Sequence, residues 1–149
     1  MINLKEIATE EMLIECLELE VSKQQEELVN RNSESLSLAW FHRNTAKPFC
    51  IYVGDDMVGF LMLNCIESES EKSCEIWQLM IDEKHQGKGY GRAAIKAIIE
   101  HFKNNPVYDE LFVAAFPDNK VAIKLYENCG FALTDEVLDD GEVVLAFKS

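Results

Sequence analysis

The 149-residue sequence has little that would take it to a membrane, a nucleic acid or a zinc ion. No apolar run approaches the roughly 20 residues that span a bilayer. The opening stretch, Met1-Ile2-Asn3-Leu4-Lys5-Glu6, lacks the apolar segment of a leader peptide, which predicts a cytoplasmic chain. Basic residues are scarce: 14 Lys and Arg stand against 27 Asp and Glu, a formal net charge of −13. That balance repels phosphate backbones and anionic lipid, so it argues against nucleic-acid and membrane partners. None of the five cysteines (Cys16, Cys50, Cys65, Cys74 and Cys129) is spaced from another as CxxC. Neither a zinc site nor a thioredoxin-like motif is supported, and no metal is expected. An odd number of cysteines in an unexported chain predicts reduced thiols, most of them in the core. No linker, repeat or low-complexity tract divides the sequence, so residues 1–149 read as one domain.

What is present is an ordinary apolar share of 48%, enough for a sizeable core, and a surplus of acid. The acid favours cationic small molecules or basic peptides through long-range attraction, and it also keeps a chain soluble. Residues 2–6 predict a short strand. Thr9 is placed to cap a helix whose apolar face is Met12, Ile14, Cys16, Leu17 and Leu19. A second helical region is expected over 24–42, broken near Asn32 and Ser33 by a new cap. Residues 48–53 and 57–66 read as a hairpin around Gly54-Asp55-Asp56, and 67–73 as a polar loop. A strand over 74–81, an amphipathic helix over 89–102 and a buried strand over 111–116 follow. Asp118 or Asn119 caps a helix that ends at Gly130, and strands over 131–134 and 143–147 close the chain. Mixed hairpins and crossovers predict an α/β or α+β domain around a mixed sheet.

Glycine concentrates in one place: Gln86-Gly87-Lys88-Gly89-Tyr90-Gly91-Arg92, directly after a strand and before a helix. Backbone N–H groups at a helix start lack intrahelical partners, and the helix dipole favours an anion there. Glycines let a phosphate approach those donors. Lys88 and Arg92 add positive charge where the chain otherwise has little. The pattern is neither a Walker A loop nor a dinucleotide fingerprint, which needs Gly or Ala where Arg92 stands. The loop alone is compatible with an anion site or with a ligand-free turn.

The stretch from Ile81 through Gln86, Gly89 and Gly91 to Arg92 resembles the acetyl-CoA signature of the GCN5-related N-acetyltransferases, Gln/Arg-x-x-Gly-x-Gly/Ala. Downstream, Asn119, Ala122, Tyr126, Gly130 and Phe131 match the family's Asn-x-x-Ala-x-x-x-Tyr-x-x-x-Gly-Phe block. The resemblance covers essentially the whole chain. It implies a mixed, mostly antiparallel sheet of six to seven strands flanked by about four helices, with acetyl-CoA as cosubstrate. It also implies direct attack of an amine on the thioester. Leu79, Met80 and Ile81 would then run beside the pantetheine arm through their main chain, and an N–H near Leu79 or Met80 would polarise the thioester oxygen. Gln86, Gly87, Lys88, Gly89, Tyr90, Gly91 and Arg92 would hold the pyrophosphate, and Asn119 would contact the cosubstrate or cap its helix. Tyr126 corresponds to the family tyrosine that protonates the departing thiolate. Glu75 corresponds to the catalytic glutamate of the histone-acetyltransferase branch. It lies on the same strand face as Leu79 if pairing is regular. Other branches place acids where Trp77 and Gln78 stand.

Residues 19–25 and 30–36 are similar to bacterial diamine and polyamine acetyltransferases, in agreement with the acidity. Glu26, Glu27, Glu34 and Trp77 are the candidate acceptor contacts. An amino acid, an aminoglycoside, a peptide amine or a non-catalytic CoA-binding role stay open. A homodimer is an expectation of the family alone.

Overall fold

The computed structural model describes residues 2–147. In chain order these are strand β1 (Ile2–Lys5), helices α1 (Glu10–Glu18) and α2 (Asn32–Phe41), and strands β2 (Ala46–Val53), β3 (Asp56–Glu67) and β4 (Lys72–Ile81). Helix α3 (Tyr90–Lys103), strand β5 (Glu110–Ala115), helix α4 (Lys120–Asn128) and strands β6 (Phe131–Val137) and β7 (Val143–Phe147) complete them. The strands form one seven-stranded sheet in the order β1-β2-β3-β4-β5-β7-β6. Every pairing is antiparallel except β4 with β5. A parallel neighbour needs a crossover, and α3 supplies it. The fold expected from the sequence is the fold observed.

The two faces of the sheet carry separate cores. On one, Ala94, Ile95, Ile98 and Ile99 of α3 and Tyr126 of α4 pack on Leu61, Leu63, Ile76, Leu111, Val113 and Leu145. On the other, Cys16 of α1 and Ala39 of α2 pack on Cys50, Phe60, Met62 and Met80. The buried positions of α3 recur at helical spacing, so its apolar stripe faces the sheet and Arg92, Lys96 and Glu100 face solvent. All five cysteines are free, four of them buried, as the sequence reading has it.

Two expectations fail in the first 42 residues. The stripe of α1 is narrower than predicted: Cys16 is buried and Met12 and Leu19 pack beside it, but Ile14 and Leu17 are exposed. Residues 12, 16 and 19 follow the i, i+4, i+7 rule, and positions 14 and 17 fall off that face. The predicted helix over 24–42 begins only at Asn32. Residues 23–29 are turns, with Gln25 N donating to Ser22 O and Leu28 N to Gln25 O. The Gln25 side chain also accepts from Ser22 N and Ser22 Oγ, which favours the tight turn over a helix. Asn32 does not cap α2; its amide turns inward and donates to Cys16 O at 2.9 Å.

One irregularity positions the site. Leu63 of β3 pairs with Ile76 of β4, yet the preceding Met62 pairs with Gln78. Trp77 is the extra residue of a β-bulge. One added residue reverses side-chain alternation beyond it.

Candidate active site

Strands β4 and β5 pair only over Ser73–Ile76 and Glu110–Val113, although β4 continues to Ile81 and β5 to Ala115. They part at the bulge, leaving the β5-facing edge of β4 without a strand neighbour from Trp77 onward. Beside that edge is a cavity of about 280 Å³. Its walls include Leu79, Met80 and Ile81 of β4, Gln86, Gly87 and Gly89 of the glycine loop, and Tyr90 and Gly91 of α3. Asn119 and Tyr126 close it from the α4 side, and Val21, Gln25, Leu28 and Val29 from the turns before α2. Ten of the twelve predicted cosubstrate-binding residues line this one cavity. Lys88 and Arg92 are the exceptions; both are exposed beside the loop.

The loop has the conformation its glycines permit. Gly87 and Gly89 have φ of 77° and 81°, and nothing lies within 4 Å of where a Cβ would stand on either. Gly89 is the N-cap of α3 and offers no side-chain cap. The N–H groups of Tyr90, Gly91 and Arg92 therefore open the helix without intrahelical acceptors. An open cradle of backbone donors at a dipole's positive end, next to an unpaired strand edge, fits a pyrophosphate with an amide-bearing arm.

Gln86 lines the cavity, and its side chain makes contacts that the sequence does not announce. Its Nε2 donates to Ile81 O and to Gln25 Oε1, both at 2.9 Å. The side chain braces the loop and contributes no free donor to an anion. Gln25 and Asp82 were not identified from sequence. Asp82 is buried at 9% exposure, accepts from Glu20 N at 2.9 Å through Oδ1, and accepts from Lys84 N through Oδ2. Together Gln25 and Asp82 tie the turns before α2 to the end of β4. The Gln25–Gln86 contact joins residues 61 apart, so no local pattern announces it. Asn119 Oδ1 accepts from Ala122 N, the N-cap role, while the residue also lines the cavity.

Tyr126 is 7% exposed, packs edge-on to Phe131 at 5.8 Å and reaches the cavity wall. Burial, with Cys129 and Glu142 nearby, pushes its phenol up to about 12, so it stays protonated at neutral pH. Glu75 is on the opposite face from Leu79, contrary to the expectation from regular pairing, because the Trp77 bulge intervenes. It lines neither this cavity nor the second one described below. Burial, then Glu136 and Glu71, push its carboxyl up to about 7. Glu142 also reaches about 7, through burial, a hydrogen bond with Asp140 and the charge of Glu75. Glu142 feels both Tyr126 and Glu75, and the sequence offered no sign of it.

The acceptor candidates scatter. Glu26 lines a second cavity of about 360 Å³ between α1 and the turns before α2. Glu34 sits in the first turn of α2, exposed, and Glu27 is exposed as well; neither lines a cavity. Trp77 is half-buried in the α1/α2-side core, its ring 5.4 Å from His42. None of the cysteines lines either cavity. No helix among the described residues is long and apolar enough to cross a membrane.

Comparison with known proteins agrees with this geometry. The family model "Acetyltransferase (GNAT) family" matches residues 5–131. The spermine/spermidine N(1)-acetyltransferase of Bacillus subtilis (strain 168) is 31% identical over 148 residues, covering 97% of this chain and 96% of that protein. The spermidine N-acetyltransferase of Vibrio cholerae, solved with CoA and spermine, superposes with a TM-score of 0.74 at 19% identity, over 97% of this chain and 92% of that one. AAC(6')-Ib, solved with ribostamycin and coenzyme A, gives a TM-score of 0.78 at 20% identity, over 97% and 91% of the two chains. The chain belongs to the acetyltransferase (GNAT) family and is an N-acetyltransferase.

Proposed function

We propose that the protein transfers the acetyl group of acetyl-CoA to a primary amine of a diamine or polyamine, by direct attack of the amine on the thioester. The parting of β4 and β5 next to the glycine loop carries this reading, because it joins a pyrophosphate cradle to an unpaired strand edge and to Tyr126. The CoA-containing relatives support the choice of cosubstrate. The polyamine is supported by the Bacillus relative's activity and by the net charge of −13.

In this reading acetyl-CoA enters from the α3/α4 face, with its pyrophosphate on the N–H groups opening α3. Its arm pairs with the main chain of Leu79, Met80 and Ile81. The amine arrives from the α1/α2 face, where the bulge has turned Glu75. A protonated amine is not a nucleophile, and a carboxyl with pKa about 7 is matched to accepting its proton near neutral pH. A main-chain N–H near Leu79 or Met80 stabilises the oxygen as charge develops. Tyr126 donates a hydrogen bond to the departing sulfur and passes its proton as the thiolate forms. Lys88 and Arg92 add screening charge at the rim.

The test is CoA release from acetyl-CoA across spermidine, spermine, diamines, amino acids, an aminoglycoside and a basic peptide. Release is expected with the polyamines at a kcat/KM well above that of the other amines. Release only with peptides or amino acids would overturn the substrate assignment. Tight acetyl-CoA binding without release on any amine would overturn the reaction.

A further inference from the structure

The side-chain donors expected at the start of the glycine loop are already taken. Gln86 Nε2 carries two N–H groups, and Ile81 O and Gln25 Oε1 accept both. The donors left over belong to Gln25. Its Oε1 accepts from Gln86 Nε2 at 2.9 Å, from Ser22 Oγ at 3.2 Å and from Ser22 N at 3.3 Å. Flipping this amide would set its nitrogen against the backbone N–H of Ser22, which donates only, so the oxygen is fixed on that side. Every hydrogen bond of the Gln25 side chain therefore ends on Oε1, and Nε2 has no acceptor among the described residues. The buried side-chain atoms left unpaired among those residues are Asn32 Oδ1, Ser35 Oγ and Asn64 Oδ1. Gln25 is half-buried and its Nε2 is not one of them, so the nitrogen keeps open surface.

The location ties that nitrogen to the cosubstrate. Gln25 lines the cavity beside β4, in the same wall as Val21 and Leu28, and it does not line the second cavity. Gln86, Gly87 and Gly89 of the glycine loop line the same cavity. The bond to Gln86 holds Gln25 next to the first residue of that loop, 61 positions further along the chain. Lys88 and Arg92 are exposed beside the loop and do not line the cavity, so a phosphate inside it relies on uncharged donors. A phosphate oxygen only accepts, and a neutral amide N–H meets it in a charge-assisted hydrogen bond.

We infer that Gln25 binds the cosubstrate: its Nε2 donates to an oxygen of the pyrophosphate while its Oε1 holds the loop. The inference rests on the proposed use of acetyl-CoA and deepens it, adding a side-chain donor from the turns before α2 to the backbone donors that open α3. The two ends of the amide are separable by substitution. Gln25→Glu keeps an oxygen for all three bonds that now end on Oε1. It removes the donor and sets a carboxylate against the phosphates.

The experiment is calorimetric titration of CoA into wild-type protein, Gln25→Glu and Gln24→Glu. Gln24 is exposed and lines neither cavity, so its variant adds the same charge one residue away. Gln25→Glu is expected to raise the Kd for CoA about tenfold or more, the loss that follows from a hydrogen bond to a charged group. Gln24→Glu is expected to stay within about twofold, because an exposed charge is screened. Equal affinity in wild type and Gln25→Glu overturns the inference. So does an equal loss in both variants, which makes the effect one of net charge. The side-chain amide resonances of Gln25 in isotope-labelled wild-type protein give a second readout. They should move when CoA is added and stay in place when pantetheine is added; movement with pantetheine overturns the phosphate as the acceptor. If Gln25→Glu fails to fold, these resonances decide alone. CoA that binds while no amine is acetylated removes the acetyl transfer and leaves the Gln25 test in force. Wild-type protein that binds no CoA removes both.

Discussion

The two halves of β4 make an instructive pair. Beyond Trp77, the strand and the loop after it form a site out of backbone: an unpaired edge, two glycines at positive φ and the opening N–H groups of α3. Before Trp77, the proposed general base is a side chain, Glu75, whose face relative to Leu79 is decided by one extra residue. Backbone sites leave local marks, since glycine spacing and a strand-to-helix junction are read directly from the chain. Side-chain sites depend on register with a neighbouring strand, and register is a property of two segments at once.

The largest expected effect tests the side-chain half. Glu75→Gln should lower kcat/KM for the amine about 10²-fold or more, the ordinary cost of losing a general base. The wild-type profile should fall as pH drops through about 7, where the Glu75 carboxylate takes up its proton. That limb should vanish in the variant; a limb that persists there would remove Glu75 from the mechanism.

Next, Tyr126→Phe should reduce kcat by roughly ten- to a hundredfold, toward the low end of acid catalysis. Acetyl-CoA affinity measured by calorimetry should stay within about twofold, because the ring packing against Phe131 is kept. A loss confined to affinity would make Tyr126 a wall of the cavity and no more.

The backbone half should respond in the opposite sense. Gly89→Ala places a Cβ at φ 81°, costing about 1–2 kcal/mol of strain, and it crowds the cradle. Acetyl-CoA affinity should fall about tenfold, with kcat at saturation little changed. Gly91→Ala is the control, because its Cβ would meet Leu125 at an ordinary 3.6 Å. If the two alanines behave alike, the cradle is not made by the positive-φ glycine.

The smallest effect is on stability. Glu75 and Glu142 have folded-state pKa values raised to about 7, above the ordinary 4.5. The folded state therefore binds more protons than the unfolded chain between those values, and stability falls as pH rises through that window. Glu142→Gln should raise Tm by a few degrees at pH 8 and leave it unchanged near pH 4, measured by thermal unfolding. Equal Tm for wild type and variant at pH 8 would mean that burial does not raise the Glu142 carboxyl in the folded state.

The same contrast explains what was legible in the sequence. The sheet, the helices and the cavity wall followed from apolar spacing, turn chemistry and the two motifs. Residues 23–29 have the composition of a helix but form turns, because Gln25 spends its side chain locally on Ser22 and, across 61 residues, on Gln86. Asn32 looked like a helix cap, yet its amide is buried against Cys16. Gln86 lines the expected cavity, and its side chain in addition braces the loop against Ile81 and Gln25. In each case the residue type was informative, and the partner was set by tertiary structure.

The most direct test of the central claim is product analysis. Wild-type protein incubated with acetyl-CoA and spermidine, followed by mass spectrometry, should yield monoacetylated spermidine in equal number to the CoA released. Acetyl-CoA that binds but leaves spermidine and every other amine unmodified would contradict it.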